Sequence, residues 1–240
     1  MLVRIQKYLS EQGILSRREA EAFIKKGLIS VNGKKVTVLG TKIDPLRDKV
    51  SILKDGDKLR GEKITIAYYK PRGVVSSRNT NEGETIYQLL PQFAHLHIVG
   101  RLDKESEGLI LLTNDGVLAH VLTGKEHLIP KEYEVTVQEK IEPLHMRLMV
   151  NGVVLEDGLA KAVKAEVLGS YTFRLVLKEG RKHQIRRMCD AVRLTTTRLK
   201  RVKIGGLDLR GLKSGGFRKL SPKEVESLKS ARFARRRQSL

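Results

Sequence analysis

Apolar positions change their period several times along the chain, and each change marks an element. Ile5, Tyr8 and Leu9 lie three and four apart, the spacing of one helical face, and this first helix ends near Gly13. A second begins at Ser16-Arg17-Arg18-Glu19, a capping box whose hydroxyl and carboxylate can satisfy the free amides of a helix start. Ala20, Phe23 and Ile24 form its buried stripe, and Gly27 stops it. Residues 28–31 and 35–38 flank Asn32-Gly33, a strong hairpin signal. A strand at 64–69 ends at Lys70-Pro71-Arg72-Gly73, because proline cannot donate to a ladder. Thr85 N-caps a short helix that finishes at Pro91. The runs 96–99 and 109–112 have the length and aliphatic content of buried strands.

Past the turn Asn114-Asp115-Gly116, Val117, Leu118, Val121 and Leu122 make the apolar side of a helix. Residues 131–137 alternate with period two, which puts Tyr133, Val135 and Val137 on one face. A helix over 142–150 is expected to bury Leu144, Leu148 and Met149. Strands follow at 161–168 and 171–177. A helix starting just after Gly180 then sets Lys182, Arg186 and Cys189 along one side and Ile185 and Met188 along another. A further strand occupies 199–205, and Ser221-Pro222-Lys223-Glu224 is a second capping box with proline at the first helical position. The order of elements is that of an α+β protein. A small module at 1–60 is joined by a polar linker at 55–63 to a larger domain at 64–230, built on a mixed, largely antiparallel sheet. Residues 231–240 hold four arginines and no acid, the composition of a disordered basic tail.

Charge narrows the class of partner. The chain has 47 Lys plus Arg against 27 Asp plus Glu, a net charge of +20, which favours a polyanion and points to nucleic acid. Cys189 is the only cysteine, so an intrachain disulfide is excluded, and among the six histidines only His95 and His97 lie close together, with no helical pair or neighbouring cysteine to complete a metal-ligand pattern. The N-terminus lacks the apolar core of a signal peptide, no run reaches membrane-spanning length, and no basic amphipathic helix carries aromatic anchors. A cytoplasmic monomer that binds no membrane is expected.

The stretch 100–116, GRLDKESEGLILLTNDG, is the candidate centre of the chemistry. Glycines at both ends of a charged loop between two apolar runs can hold Asp103 at a cleft between strands. On pattern alone the stretch reads as a charged hairpin turn or as a catalytic loop. Tyr133 reads as a core tyrosine whose hydroxyl reaches the rim. Arg4, Arg17, Arg18, Lys25 and Lys26 read as a solvated surface or as phosphate contacts. Arg181, Lys182, Arg186 and Arg187 would repel one another unless some meet an anion.

The run SRREAEAFIKKGLISVNGKKV resembles the S4 RNA-binding domain, which implies that Arg4, Arg17, Arg18, Lys25 and Lys26 grip structured RNA through its backbone. Together with KPRG, GRLDKESEGLILLTND, KEYEV, EGRKHQIRRM and LKRVKIG, it makes nearly the whole chain similar to bacterial rRNA pseudouridine synthases of the RsuA type. Many members carry threonine where Ser106 stands, a departure that keeps a hydroxyl. The resemblance implies an S4-type domain followed by a pseudouridine synthase domain. The reaction it implies detaches uracil from ribose at N1 and rejoins it through C5, with no cofactor. Carried over residue by residue, Asp103 is the catalytic carboxylate, Arg186 its basic partner, and Tyr133 the residue that stacks on the uracil. Arg101, Lys104, Arg181, His183 and Arg187 are candidate RNA contacts. The stretch GRLDKESEGLI looks closer to members that act on large-subunit rRNA. A binding-only ribosome-assembly factor is the rival reading, and its signature would be loss of Asp103, Tyr133 or Arg186, all of which are present. A glycoside hydrolase would need a separated acid and base, and Glu105 and Glu107 lie too near Asp103 in sequence for that.

Overall fold

The computed structural model describes residues 1–53, 55, 61–124 and 128–230. The expected tail at 231–240 and most of the expected linker lie outside the described residues. The chain divides into two compact units, Met1–Ile64 with Thr113–His120, and Thr65–Leu112 with Val121–Leu240.

In the first unit, β1 (Val3–Arg4) leads into α1 (Ile5–Glu11), followed by α2 (Arg17–Lys25), the hairpin β2 (Ile29–Val31) and β3 (Lys34–Val36), then β4 (Lys42–Ile43) and β5 (Val50–Ile52). The Ser16 hydroxyl accepts from the Glu19 amide, and the Glu19 carboxylate accepts from the Ser16 amide, so the expected capping box is formed. Asn32 and Gly33 both have positive φ, 51° and 80°, as a tight two-residue hairpin turn requires. The Asn32 amide side chain also donates to Asp48 at 2.8 Å and accepts from the Lys49 amide at 2.9 Å, which ties β5 to the turn. Ile5, Leu9, Ala20, Ile24, Ile29 and Ile43 close the core.

The second unit is built on a nine-stranded sheet among the described residues. Its strands are β6 (Thr65–Lys70), β7 (His97–Val99), β8 (Glu107–Thr113), β9 (Lys131–Val137), β12 (Lys164–Gly169), β13 (Thr172–Leu177), β14 (Thr196–Ile204), β15 (Leu207–Asp208) and β16 (Phe217–Lys219). The order runs β12-β13-β9-β14-β8-β6-β16, with β7 beside β8 and β15 beside β14. The β12–β13, β13–β9, β9–β14 and β16–β6 pairs are antiparallel. Strands β14 and β8 run parallel, their backbone register limited to Lys200–Glu107 and Arg201–Gly108. Short helix α3 (Ile86–Leu89) carries a reciprocal Thr85/Gln88 cap, and α4 (Gly116–Thr123), whose residues 116–120 are counted with the first unit, follows β8. A side hairpin, β10 (Val153–Leu155) and β11 (Gly158–Ala160), follows α5 (Pro143–Asn151). Helices α6 (Gln184–Ala191) and α7 (Pro222–Ser230) complete the unit.

Two helices differ from the sequence reading. In α5 Met149 is buried as expected, but Met146 joins it against the core in place of Leu144 and Leu148, which are 48% and 38% exposed. The leucines at i, i+4 and the methionines at i, i+3 are both legitimate stripes, and packing on the sheet selects the unbranched side chains that fill irregular space. Helix α6 begins later than expected, because the 180–183 segment is held as a turn: the Arg181 amide donates to Gln184 Oε1 at 3.0 Å and His183 takes φ 51°. Lys182 therefore lies outside the helix. Cys189 is fully buried with Ile185 and Met188 instead of lining a polar side.

Candidate active site

The loop between β7 and β8 carries Asp103, and five successive carbonyls of that loop each accept a hydrogen bond. Arg201 Nη1 donates to Arg101 O at 3.5 Å, and Ser76 Oγ donates to Leu102 O at 2.7 Å. The Ser106 amide donates to Asp103 O at 3.0 Å, closing a tight turn around the carboxylate. Lys104 O accepts from the Gly73 amide at 2.8 Å and from the Lys70 ammonium at 3.4 Å. Arg186 Nη2 donates to Glu105 O at 3.0 Å. A loop whose backbone is fixed from several directions can present a carboxylate without first ordering it.

Gly108 permits the last part of this geometry. A Cβ there would sit 2.3 Å from the Arg201 carbonyl oxygen, and its φ is +105°. The brief parallel contact of β8 with β14 therefore needs glycine at this position. Arg201, only 4% exposed, then reaches under the loop and donates from Nε to Leu109 O at 2.7 Å.

Asp103 borders a cavity of about 900 Å³, together with Arg101, Ser106, Tyr133, His183 and Arg201. Tyr133 on β9 stands opposite Arg201 on β14 in the sheet register, so the two share one site on the sheet. Of the expected Asp103–Arg186 ion pair or near-pair, the direct ion pair is not formed. The Arg186 guanidinium is directed to the carbonyls of Glu105 and Thr196, and the basic group beside Asp103 is His183, with Nε2 3.9 Å from the carboxylate. Backbone carbonyls of the loop and of β14 compete for the same planar donor and win. His183 reaches Asp103 from the left-handed residue that caps α6.

Lys70, fully buried at the end of β6, donates to Val74 O at 2.6 Å and Pro71 O at 2.9 Å besides Lys104 O. Burial pushes its pKa down to about 8, against the opposing pull of Asp103, Glu105 and Glu107. Glu105 is held below the ordinary carboxylate range, chiefly by its hydrogen bond with Arg72. Burial would raise the Glu107 carboxyl, and the bonds from Arg198 and the Tyr69 hydroxyl outweigh it, so the net shift is downward.

The other candidate contacts separate into free and engaged groups. Arg4, Arg17, Arg18, Lys25 and Lys26 are exposed, and none has an ion-pair partner among the described residues. Lys104 turns its ammonium to Glu82 O at 2.8 Å, away from the cavity. Arg181 is occupied by Glu179 and by the carbonyls of Gly158 and Leu159. Arg187 forms a two-pronged pair with Asp157 at 2.9 and 3.0 Å, so these two cations brace the β10–β11 hairpin.

A family model described as RNA pseudouridylate synthase matches residues 64–191, and one described as S4 domain matches residues 3–46. The chain is 36% identical to Ribosomal large subunit pseudouridine synthase B of Bacillus subtilis (strain 168), over 95% of this chain and 96% of that protein. The chain belongs to the RNA pseudouridylate synthase family. It is also 35% identical to the Dual-specificity RNA pseudouridine synthase RluF of Escherichia coli (strain K12), over 94% of this chain and 78% of that one. A crystal structure of a pseudouridylate synthase superposes with a TM-score of 0.69 at 31% identity, covering 94% of this chain and 99% of that chain.

As a member of this family the chain is an isomerase, and its site shows what the motifs alone did not assign. Lys70, Ser76 and Arg201 hold the loop that carries Asp103; Lys70 and Arg201 lie in the stretches KPRG and LKRVKIG, but the sequence assigns neither of them, nor Ser76, a role. Arg201 does leave a trace there, since it shares the inward parity of Leu199 in its strand. Lys70 ends a strand that is buried throughout, an unusual place for an ammonium. Ser76 leaves no signal in a polar loop. Among the described residues no helix is long and apolar enough to cross a membrane, and no cluster of three or more His, Cys, Asp or Glu is suited to a metal ion.

Proposed function

We propose that this protein converts a uridine of large-subunit ribosomal RNA to pseudouridine, acting as a cytoplasmic monomer without a cofactor. The observation that carries the reading is the set of five bonded carbonyls that fixes the Asp103 loop at the edge of a cavity bordered by Tyr133. The target nucleotide leaves its stack, because C1′ and C5 are out of reach inside a helix, at a cost of about a few kcal/mol. Asp103 then faces the sugar and base. Whether it attacks the sugar, adds to the base or removes a proton from C2′, the chemistry starts from an ionised carboxylate. The C1′–N1 bond breaks, the uracil turns under Tyr133, and a C1′–C5 bond forms. Loss of the C5 proton and protonation of N1 complete the isomerisation with no net change in protons, the Tyr133 hydroxyl being the nearby relay for the C5 proton. His183 supports the Asp103 carboxylate from 3.9 Å, and Arg186 acts by holding the Glu105 backbone.

Residues 1–60 form the RNA-gripping module in this reading, through the exposed Arg4, Arg17, Arg18, Lys25 and Lys26, and residues 64–230 form the catalytic domain. The homologues named for large-subunit rRNA support that choice of substrate. The test is to map pseudouridines in rRNA from cells with and without the gene, then add purified protein to the deficient rRNA. One large-subunit site should be missing and then restored. Complete, unchanged maps would instead favour an assembly factor without chemistry.

A further inference from the structure

We propose that Lys131 and Arg201 form an anion subsite within this cavity, fitted to a phosphate group of the RNA backbone. The inference rests on the cavity being the one that receives RNA. Lys131 and Tyr133 lie two apart on β9 and so share a face, and Arg201 stands in register with Tyr133 on β14. Both cations border the same space.

Neither cation has an acidic partner among the described residues. Arg201 uses Nε and Nη1 on the carbonyls of Leu109 and Arg101, and its Nη2 is buried with no hydrogen-bond partner. The Lys131 ammonium, half-buried, has no ion pair among the described residues, and burial followed by the positive charge of Arg201 lowers its pKa. The acids bordering the cavity are directed elsewhere: Asp103 faces His183, and Glu179 is occupied by Arg181 and Gln184. Two like charges held together in a partly desolvated space are costly without an anion between or beside them. Uracil is neutral and ribose is neutral, so the phosphate is the part of a nucleotide that meets this requirement. Nη2 is closed to solvent, so Lys131 makes the contact and Arg201 contributes its charge from behind.

The experiment uses inorganic phosphate as the probe and the intact protein. Lysines are acylated at fixed ionic strength in phosphate or in chloride, and the rate at each site is read by peptide mass spectrometry. Phosphate should slow Lys131 by at least about threefold while leaving exposed Lys140 unchanged, because a site-bound ion acts locally and screening acts on all surface charges. Arg201→Gln should abolish the protection, and Arg201→Lys, which keeps the charge, should retain part of it. Equal Lys131 rates in the two salts, or uniform slowing of every lysine, would overturn the subsite. With rRNA, Lys131→Met should raise KM about tenfold, change kcat by less than about threefold, and flatten the salt dependence by about one phosphate's worth. A loss confined to kcat would contradict it. Phosphate protection does not require turnover, so it should persist in Asp103→Asn, which separates failure of the subsite from failure of the catalytic assignment.

Discussion

Arg186 donates to the carbonyl of Glu105 at 3.0 Å and leaves Asp103 with His183 as its basic neighbour. The arginine thus touches the Asp103 loop through its backbone, and in the proposed mechanism its effect on Asp103 is one of position. Arg186→Met should leave a loop carbonyl without its donor, lower stability by about 1–3 kcal/mol, and reduce kcat by about a hundredfold or more. Arg186→Lys should recover part of kcat because an ammonium can still meet one carbonyl. Single-turnover rates and thermal melts check this. A Met variant with parental kcat would show that the loop holds its shape without Arg186.

Gly108→Ala tests the close approach of β8 and β14. The new methyl would stand 2.3 Å from Arg201 O at a φ that alanine avoids. Backbone must move on both strands, so the expected loss is about 3 kcal/mol or more. Urea unfolding reads it directly, and a loss below about 1 kcal/mol would mean that the parallel contact is looser than described.

Lys70 gives the fold a pH dependence of definite sign. Its pKa is about 8 in the fold against an ordinary value of 10.5. A base whose folded pKa is lowered opposes folding while charged, so the penalty is full below about pH 8 and is lifted as pH rises toward 10.5. Between those values the parent should gain stability relative to Lys70→Met by on the order of 1–3 kcal/mol. Parallel pH–stability curves for the two proteins would contradict this.

The exposed cations of the first unit should act on affinity alone. Replacing Arg17, Arg18, Lys25 and Lys26 together with alanine should weaken rRNA binding and reduce the log–log salt slope, by roughly 0.7–0.9 for each phosphate that the four side chains neutralise. With saturating RNA, kcat should stay within about twofold of the parent. An unchanged slope would place RNA on another face.

Local signals are legible where neighbouring residues complete one another. Ser16 with Glu19 and Ser221 with Glu224 form the caps their spacing announces, and Asn32-Gly33 makes the turn. The phase of α5 is not legible, because Leu144/Leu148 and Met146/Met149 offer competing stripes and only the sheet beneath selects one. The Asp103 loop can be picked out by its glycines, but its donors Lys70, Ser76, Arg186 and Arg201 come from distant segments. The approach of Arg201 to the loop depends on strand register, which no short stretch of sequence encodes. For Arg186 the motif identifies the right segment and the wrong acceptor, since a guanidinium near a carboxylate and one near a carbonyl look alike in sequence.

The most direct test of the whole account is pseudouridine formation by Asp103→Asn, a substitution that nearly preserves shape and removes the charge. The variant should show the parent's circular dichroism and bind rRNA within about threefold of the parent, because phosphate contacts from other residues supply most of the affinity. Its pseudouridine yield on rRNA from cells lacking the gene should fall below detection. Parental yield from the folded variant would contradict the assignment of Asp103 as the catalytic carboxylate.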